Sequence, residues 1–384
     1  MKKMFKLLTV LLAVMMIAVC VVNAGQYDEV FANLSFSEYA LYEQGTLDAL
    51  QLRAFAVDPN GKYYYGGLLN GGTPTVYQFD AATGAEVCTY TFDEDPGAYI
   101  KAIAADDLGY VYMGVANAAN NGAVYFAICD QNGLSEIKWV MIEIEGKVGV
   151  NGATIRRDGD KYYLYFVTNY DTDRIYSYDV TDVNNPVLNT NFGSDGFTTG
   201  TGYLDLTSAF GMQDANNICI DESGYLYMCA TTGKGSKGDT VFRINPEGTG
   251  IVATAEVSEC FGVCIIGQGY LATCTYEGAD SKVHILNQQD LTPVTVVGYD
   301  NANNFCQLGM IGNKLYMADQ GPDAVLVSSE INFPTPVVEE VPEEVVDVEG
   351  ETAPTAPTTA DTGIVAASVL MLAAAVVVLK NRKH

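Results

Sequence analysis

Residues 217–227 read NICIDESGYLY, and this phrase decides the fold. An apolar strand leads into a polar turn that contains Asp221 and Gly224, and a strand rich in Tyr follows. The turn recurs at intervals of 48, 51, 64, 45 and 44 residues, marked by Gly61, Gly109, Asp160, Gly224, Gly269 and Asn313. A repeat of this length, with alternating strands and tight turns, is typical of the four-stranded sectors of a β-propeller.

A second pair of strands completes each unit. The chain reads VYQFD at residues 76–80, IYSYD at residues 175–179 and VFRIN at residues 241–245. Alternating strands bounded by Asp, Asn and Gly indicate hairpins. We therefore predict an all-β, six-bladed β-propeller, and the possibility of a seventh blade closed by residues 27–50 stays open.

The repeated residues resemble those of NHL- or YVTN-like propeller repeats, which read D-x-x-G-x-L-Y and then V-x-x-Y/F-D. The resemblance covers roughly residues 50–330 of the chain. It implies the propeller fold, but a function has to be argued from a site, because one fold carries many functions.

The first 24 residues have the three parts of an export signal. Lys2, Lys3 and Lys6 give a positive start, residues 7–22 carry no charge, and small residues surround a cleavage point after Ala24. We predict a signal helix over residues 1–24. An uncleaved N-terminal anchor is the alternative.

A stalk is predicted after the propeller. Residues 334–362 contain five Pro and eight acidic residues and no Lys or Arg. Such a stretch cannot bury enough apolar surface to fold, so we expect it to be disordered and extended. The predicted organisation is a signal peptide at 1–24, a propeller at 25–333, an acidic Pro/Thr stalk at 334–362 and an anchoring segment at 363–384.

The anchoring segment resembles the sorting signals of Gram-positive cell-wall proteins. In that family a sortase cuts LPxTG between Thr and Gly, which here correspond to Thr362 and Gly363, whereas Thr359 and Ala360 replace the Leu and Pro. An uncharged run over residues 364–379 and a basic tail follow. A C-terminal apolar helix that anchors the chain in the cytoplasmic membrane is the alternative. Both predict an extracellular protein held at the surface of a Gram-positive bacterium.

The charge balance excludes some classes of partner. The chain has 47 acidic and 20 basic residues, a net charge of -27, so binding to nucleic-acid phosphates is not expected. His284 and His384 are the only histidines, which excludes mechanisms that need two histidines inside the propeller. Motifs of serine hydrolases, zinc proteases and phosphate-binding loops are also absent from the sequence.

Cysteines occupy matching positions in neighbouring units. Cys219 and Cys264 lie five residues before their turn markers, and Cys229 and Cys274 lie five residues after them, where other units mostly have Ala or Gly. This pattern predicts a demand for small buried side chains. Disulfides between adjacent blades, Cys219–Cys264 or Cys229–Cys274, are the alternative in an exported protein.

The loops that enter the innermost strands of a propeller lie together on one face, beside the central channel. The chain reads GVNG at residues 149–152, QDANN at 213–217 and DNANN at 300–304 in these loops. They predict a binding site that contains Asp214, Asn216, Asn217, Asn301 and Asn304. The alternative is that Asn and Asp only turn the backbone before each strand.

The same Asn pattern resembles gluconolactonase-like propellers, in which Asn and acidic residues from these loops hold a divalent cation. The resemblance implies Asn151, Asn217 and Asn304 as ligands of Ca²⁺, which prefers oxygen ligands. The acidic ligand that the family has on its first blade is missing from LQLR at residues 50–53.

We expect the propeller to be a binding module for an extracellular glycan, peptide or protein. No catalytic residue is predicted, and a protein without enzymatic activity is favoured. Two alternatives stay open: a divalent-metal-dependent hydrolase of the gluconolactonase type, and a structural component of the surface layer.

Overall fold

The computed structural model describes residues 29–41, 52–68, 74–92, 99–116, 123–143, 148–170, 172–231, 238–321 and 324–333. The predicted export signal, the acidic stalk and the anchoring segment with Thr362 and Gly363 lie outside these residues. No helix in the described ranges is long and apolar enough to span a membrane. The structure therefore concerns the predicted propeller region.

The first strands form two four-stranded antiparallel sheets, preceded in the chain by β1 (Phe36–Leu41). One sheet consists of β2 (Leu52–Val57), β3 (Tyr63–Leu68), β4 (Thr75–Asp80) and β5 (Glu86–Thr91). The next sheet consists of β6 (Tyr99–Ala105), β7 (Tyr110–Ala116), β8 (Ala123–Asp130) and β9 (Ser135–Glu143).

The following sheet has an extra strand. It consists of β10 (Val148–Asp158), β11 (Lys161–Tyr170), β12 (Arg174–Asp179) and β13 (Val187–Leu188), and β14 (Tyr203–Asp205) also pairs with β12. The short helix α1 (Leu206–Phe210) then leads to the next sheet. Asp205 caps this helix, because its carboxylate accepts a hydrogen bond from the backbone N–H of Ser208.

A seven-stranded sheet contains two sectors that share one long strand. Its strands are β15 (Gln213–Ile220), β16 (Leu226–Thr231), β17 (Gly238–Ile244), β18 (Ile251–Gly267), β19 (Tyr270–Thr275), β20 (Lys282–Asn287) and β21 (Pro293–Gly298). The first half of β18 pairs with β17 as an outer strand, and the second half pairs with β19 as an inner strand.

The last sector joins the two ends of the described chain. It consists of β22 (Phe305–Ile311), β23 (Lys314–Asp319), β24 (Ala324–Ser328) and β1, which pairs with β24 from Phe36 opposite Ser328 to Leu41 opposite Ala324. Residues 36–41 thus supply the outer strand of the sixth sector, and no seventh sector is formed by the described residues. Pairing of the two chain ends closes the ring with backbone hydrogen bonds.

The inner strands of the six described sectors form a closed ring. Each of β2, β6, β10, β15, the second half of β18 and β22 contacts the next, and β22 contacts β2 again. This topology defines a β-propeller, and it confirms the predicted fold class.

The repeated Asp of each phrase holds the turn that it begins. Asp106 accepts hydrogen bonds from the backbone N–H of Leu108 at 3.0 Å and of Tyr110 at 2.8 Å, and from the hydroxyl of Tyr112 at 2.9 Å. Gly109 occupies the position with a φ of 91°, a conformation that Gly adopts without steric cost. These contacts explain why Asp, Gly and Tyr recur together.

The same arrangement is found two sectors further on. Asp221 accepts hydrogen bonds from the backbone N–H of Tyr225 and the hydroxyl of Tyr227, both at 2.9 Å, and Gly224 has a φ of 90°. Asp58 of the first sector accepts from the backbone N–H groups of Asn60 and Lys62 in its turn. The turn end of the inner strands is therefore built in a common way.

Tyrosines and phenylalanines fill the space between neighbouring sheets. The ring of Tyr64 stacks on Phe79 with centroids 5.0 Å apart and also lies 6.2 Å from the ring of Tyr316 in the last sector. Tyr64, Tyr112 and Tyr227 are fully buried. The Tyr-rich strands therefore serve the packing of one sheet on the next.

The described cysteines are free thiols. Cys229, Cys264 and Cys274 are buried and Cys219 is half-buried, so the two disulfides considered from the sequence are not formed. Small side chains fit here because the inner strands converge. A Cβ added to Gly262 would lie 2.8 Å from the Sγ of Cys274.

Candidate functional site

Every inner strand breaks its pairing near its start, at one end of the channel. The register shifts lie between Leu52 and Ala54, Ile100 and Ala102, Val150 and Gly152, Gln213 and Asn217, Cys260 and Gly262, and Phe305 and Leu308. We call the residues that the pairing skips the bulge ring: Arg53, Lys101, Asn151, Asp214–Asn216, Phe261 and Cys306–Gln307. Bulges redirect side chains and are frequent beside functional sites.

Close contact between inner strands explains why the residue after a bulge is small in four sectors. Ala54, Ala102, Gly152 and Gly262 occupy this position. A Cβ on Gly152 would lie 2.8 Å from the Cα of Asn217, a distance that real Cβ atoms do not adopt. The backbone is therefore tightly packed just below the bulge ring.

Gln307 ties three other inner strands together across the axis. Its Oε1 accepts a hydrogen bond from the backbone N–H of Phe55 at 2.6 Å. Its Nε2 donates to the carbonyl oxygens of Lys101 at 3.1 Å and Asn151 at 3.3 Å. The side chain is almost completely buried. Gln307 thus gives the bulge ring a rigid floor.

Two cations belong to the bulge ring. The guanidinium carbon of Arg53 lies 5.2 Å from the ring centroid of Phe261 and 4.9 Å from that of Tyr276, and Nη2 of Arg53 donates to the Tyr276 hydroxyl at 3.1 Å. Lys101 Nζ donates to Oδ1 of Asn151 at 3.4 Å. Both cations are half-buried, so their charges are held at fixed places near the axis.

Burial and mutual interaction shift the pKa values of three groups at this end of the channel. Burial, together with the smaller effect of the Arg53 charge, lowers the pKa of Lys101 to about 8, and the carboxylate of Asp214 opposes the shift. Burial raises the pKa of Asp214, and Lys101 opposes this. Burial also raises the pKa of Asp173 to about 7, although the Asp214 backbone N–H donates to its Oδ1 at 2.9 Å. Such clusters of shifted groups mark candidate sites.

Three of the predicted residues, Asn151, Asp214 and Asn216, belong to the bulge ring. Asp214 is half-buried with a φ of 49°, a left-handed conformation that Asp tolerates better than most residues. Asn151 is buried, and its Nδ2 donates to the carbonyl of Ala215 at 2.9 Å. Asn216 is only 4% exposed, and its Nδ2 has no hydrogen-bond partner in the described part of the chain.

The other three predicted residues have different surroundings. Asn217 follows the bulge and its Oδ1 accepts from the N–H of Ile218 at 2.5 Å. Asn304 has a φ of 69°, and its Oδ1 accepts from the N–H of Gly278 at 2.7 Å. Asn301 is exposed in the loop before β22. At Asn217 and Asn304 the oxygens contribute to local backbone structure, as the turn alternative expects.

The contacts do not fit a divalent cation at the implied ligands. The Oδ1 atoms of Asn151, Asn217 and Asn304 each accept a hydrogen bond from the protein, and for Asn151 the donor is the ammonium of Lys101. A cation beside this oxygen would meet the repulsion of Lys101. Among the described residues no group of three or more His, Cys, Asp and Glu is placed to hold a metal ion. The calcium site stays a prediction that these contacts argue against.

Beyond the floor formed by Gln307 most of the residues that line the channel are apolar. A cavity of about 390 Å³ continues along the axis and is lined by residues from all six inner strands, including Phe55, Ile103, Ile155, Ile220, Ile265 and Met310. No charged side chain of the described residues lines this cavity, whereas Arg53, Lys101 and Asp214 belong to the bulge ring. This contrast selects the bulge ring as the candidate site.

Sequence reasoning missed Arg53, Lys101, Phe261 and Gln307. Arg53 and Lys101 occupy the same position of successive phrases, two residues before Phe55 and Ile103. Alignment of the units on their turn Asp therefore contains the signal for these two. Gln307 has no such signal, because its partners lie in three other sectors.

No protein-family model matches the chain, and no curated protein matches it. Among solved structures, the chain is similar to the β-propeller domain of Cps50 (Swd1) from Myceliophteria thermophila, with 10% sequence identity and a TM-score of 0.48. The match covers 77% of this chain and 99% of that chain. The class of protein, a β-propeller, is defined by the closed ring of sheets. The resemblance to NHL-, YVTN- and gluconolactonase-like repeats stays a prediction.

Proposed function

We propose that this chain is a binding module, displayed outside the cell, that takes an extracellular glycan, peptide or protein at the bulge ring. The observation that carries the proposal is the set of six bulges at one end of the channel. They place side chains of different chemistry around a single axis. Recognition needs such a convergence of a few polar groups beside apolar walls.

Rigidity of the bulge ring supports this role. Gln307 bonds three inner strands, and Asn151 bonds to Ala215 of the next sector. Arg53 is held against the adjacent rings of Phe261 and Tyr276. Groups that are already in place lose little entropy when a ligand binds, and this improves affinity.

A pair of matched variants tests the site. Asp214→Asn removes one charge from the bulge ring and keeps a residue that tolerates positive φ. Asp160→Asn makes the same change at an exposed position. Asp160 lies in the turn after β10, at the end of that strand opposite to the bulge ring. The full-length chain is screened on glycan arrays and by pull-down of defined extracellular peptides and proteins. We expect Asp214→Asn to weaken the ligands found and Asp160→Asn to leave them unchanged; equal binding by both variants contradicts the proposal.

Surface display is a separate part of the proposal and rests on the two ends of the sequence. Wall attachment through Thr362 predicts that detergent leaves the protein with the cell wall and that Thr362→Ala releases it. Attachment by an apolar helix predicts release by detergent whatever residue stands at 362. Appearance of the chain in the cytoplasmic fraction contradicts both forms.

The hydrolase alternative has one observation in its favour. Asp173, with a pKa near 7, contacts Asp214, and Lys101 with a pKa near 8 lies within electrostatic range of Asp214. Groups with pKa values near neutrality serve in general acid–base catalysis. Hydrolysis of lactones and esters by the full chain, with and without added Ca²⁺, tests this alternative. Activity that Asp173→Asn abolishes and Asp160→Asn preserves supports it.

A further inference from the structure

The cations of the bulge ring stand out in a strongly acidic chain. Of the 20 basic residues, six lie in the two terminal segments, which leaves 14 in the body against 47 acidic residues. The ion pairs between described residues use Arg156, Arg157, Lys161 and Arg174. Arg53 is not among them, and its guanidinium contacts two aromatic rings and a hydroxyl instead. Two of the 14 basic residues, Arg53 and Lys101, thus lie beside the axis.

Hydrogen-bond donors at the same place lack acceptors. The Nε of Arg53 and the Nδ2 of Asn216 are buried and have no hydrogen-bond partner among the described residues. An unsatisfied buried donor costs about 1–3 kcal/mol, so each such group calls for an explanation. The two residues hold the equivalent bulge position in their sectors. An anion that enters the bulge ring brings acceptors for donors of this kind.

The local charge selects the kind of anion. Arg53 and Lys101 carry one positive charge each, and Asp214 is the carboxylate within electrostatic range of Lys101. While Asp173, whose pKa is raised to about 7, is protonated, these three groups give the site one net positive charge inside a negatively charged body. A monoanion matches this charge, whereas a phosphate dianion would leave net negative charge. Arg also presents a planar pair of donors that suits a carboxylate.

We propose that the bulge ring binds a carboxylate group of its ligand, held by Arg53 and Lys101 with Asn216 as an additional donor. This inference rests on the proposed binding function and names the chemistry of the group that is recognised. Phe261 and Tyr276 hold Arg53 in the position that the carboxylate meets.

The proposal carries a pH dependence with a definite sign. Lys101 is charged below its pKa of about 8, so affinity for a carboxylate should fall as the pH rises through that value. The charged groups that act on Lys101 are Arg53 on β2 and Asp214 on β15, and the neighbouring β10 presents the neutral Asn151. Lys101→Arg keeps a positive charge at every accessible pH, and this variant should lose the dependence.

The experiment titrates the full-length chain with acetate, acetamide and inorganic phosphate, and follows the side-chain nitrogen signals of Lys and Arg by NMR. We expect acetate to saturate the signals of Lys101 and Arg53, acetamide to leave them unchanged, and phosphate to bind more weakly than acetate. Arg53→Gln and Lys101→Gln should each weaken acetate about tenfold, the effect of losing about 1.4 kcal/mol. The exposed Lys314→Gln is the matched control.

Several results would overturn the inference. They are the absence of acetate binding, equal binding of acetamide, tighter binding of phosphate, and acetate affinities that Arg53→Gln and Lys101→Gln leave unchanged. Arg53→Lys separates charge from folding, because it keeps the charge and should lose less affinity than Arg53→Gln. A circular dichroism melting curve of each variant shows whether it folds.

Failure of the proposed binding function gives a different result. If the ligands found by screening bind Asp214→Asn and the natural chain with equal affinity, the bulge ring is not the binding site, whether or not acetate binds. If uncharged ligands bind Asp214→Asn more weakly but bind Arg53→Gln as well as the natural chain, the binding function is supported and the carboxylate inference is wrong.

Discussion

The inner strands have similar residues at one end and different residues at the other. At the turn end, Asp106 and Asp221 accept hydrogen bonds from their own turn and from the hydroxyl of the Tyr three residues after its Gly. At the bulge end, the six sectors present an Arg, a Lys, an Asn, an Asp-Ala-Asn segment, a Phe and a Cys-Gln pair. Each inner strand thus has residues that differ between sectors at its bulge end and a turn of common construction at its other end.

The range of the contacts explains the difference. The turn Asp bonds to groups two, four and six residues ahead, so each sector needs the same residue for the same task. Gln307 bonds to residues in three other sectors. The residues of the bulge ring surround one axis, and each can contact a different part of the same ligand, so they need not be alike. We infer that substitutions at the turn end mainly affect stability and that those at the bulge end mainly affect binding.

The largest effect is expected for Asp106→Ala. This buried carboxylate satisfies two backbone N–H groups and the hydroxyl of Tyr112, and its loss leaves the buried hydroxyl without an acceptor. We expect the free energy of unfolding to fall by about 3 kcal/mol, measured by chemical denaturation. Asp160→Ala, in an exposed turn, is the control and should change little. A loss of ligand binding in folded Asp106→Ala would break the comparison.

A somewhat smaller effect is expected for Gln307→Leu, which keeps the size of the side chain. The variant leaves the N–H of Phe55 and two carbonyl oxygens without their partner, and we expect a loss of about 2 kcal/mol. Because the floor of the bulge ring loosens, acetate affinity should fall as well. Gln289→Leu at an exposed position is the control. Unchanged stability and affinity would show that Gln307 does not organise the ring.

The next effect depends on pH and concerns Asp173. Burial raises the pKa of Asp173 from 3.8 to about 7, so the folded state holds this proton more tightly than the unfolded chain does. Its contribution to stability is present at low pH and is lost as the pH rises through about 7. Asp173→Asn should therefore be about 1–2 kcal/mol more stable than the natural chain at pH 8 but not at pH 4.

Denaturant unfolding at the two pH values measures this difference for Asp173→Asn. Asp160→Asn, at an exposed position, should match the natural chain at both. Equal destabilisation of Asp173→Asn at both pH values would mean that folding does not raise the pKa of Asp173.

The smallest effect on stability is expected for Asn216→Ala. Asn216→Ala removes a buried donor without a partner among the described residues, which favours stability, and also removes the packing of the side chain, so the free energy of unfolding should change by less than about 0.5 kcal/mol. Acetate affinity should fall about threefold, because one donor is lost. Asn217→Ala, which removes an oxygen bonded to Ile218, should cost more stability. A large loss of stability in Asn216→Ala would assign this residue to the structure instead of the site.

Much of the fold was predictable, because its signals are local. The turn Asp, the Gly at positive φ and the Tyr that bonds back to the Asp lie within seven residues, so the phrase is visible in the sequence. Closure by residues 36–41 was not predictable in the same way. It pairs segments nearly 300 residues apart, and β1 carries no repeat phrase that identifies its partner.

The candidate site was predictable only in part. Asn151, Asp214 and Asn216 were predicted from their place before an inner strand, and they lie in the bulge ring. Arg53 and Lys101 were not predicted, because candidate residues were chosen as metal ligands, and metal ligands are oxygen-bearing side chains and not cations. Gln307 looked like any strand residue, and its partners become visible only when the ring closes.

The amino-acid sequence by itself determined the repeated sheet unit, because alternating strands and capped turns are stabilised within each unit. The tertiary structure decided which side chains share the axis. That depends on closure of the ring and on the bulges that lift Arg53, Lys101 and Asn216 out of their ladders. Contacts inside one hairpin are set by neighbours in the chain, whereas contacts across the channel exist only after all six sectors have met.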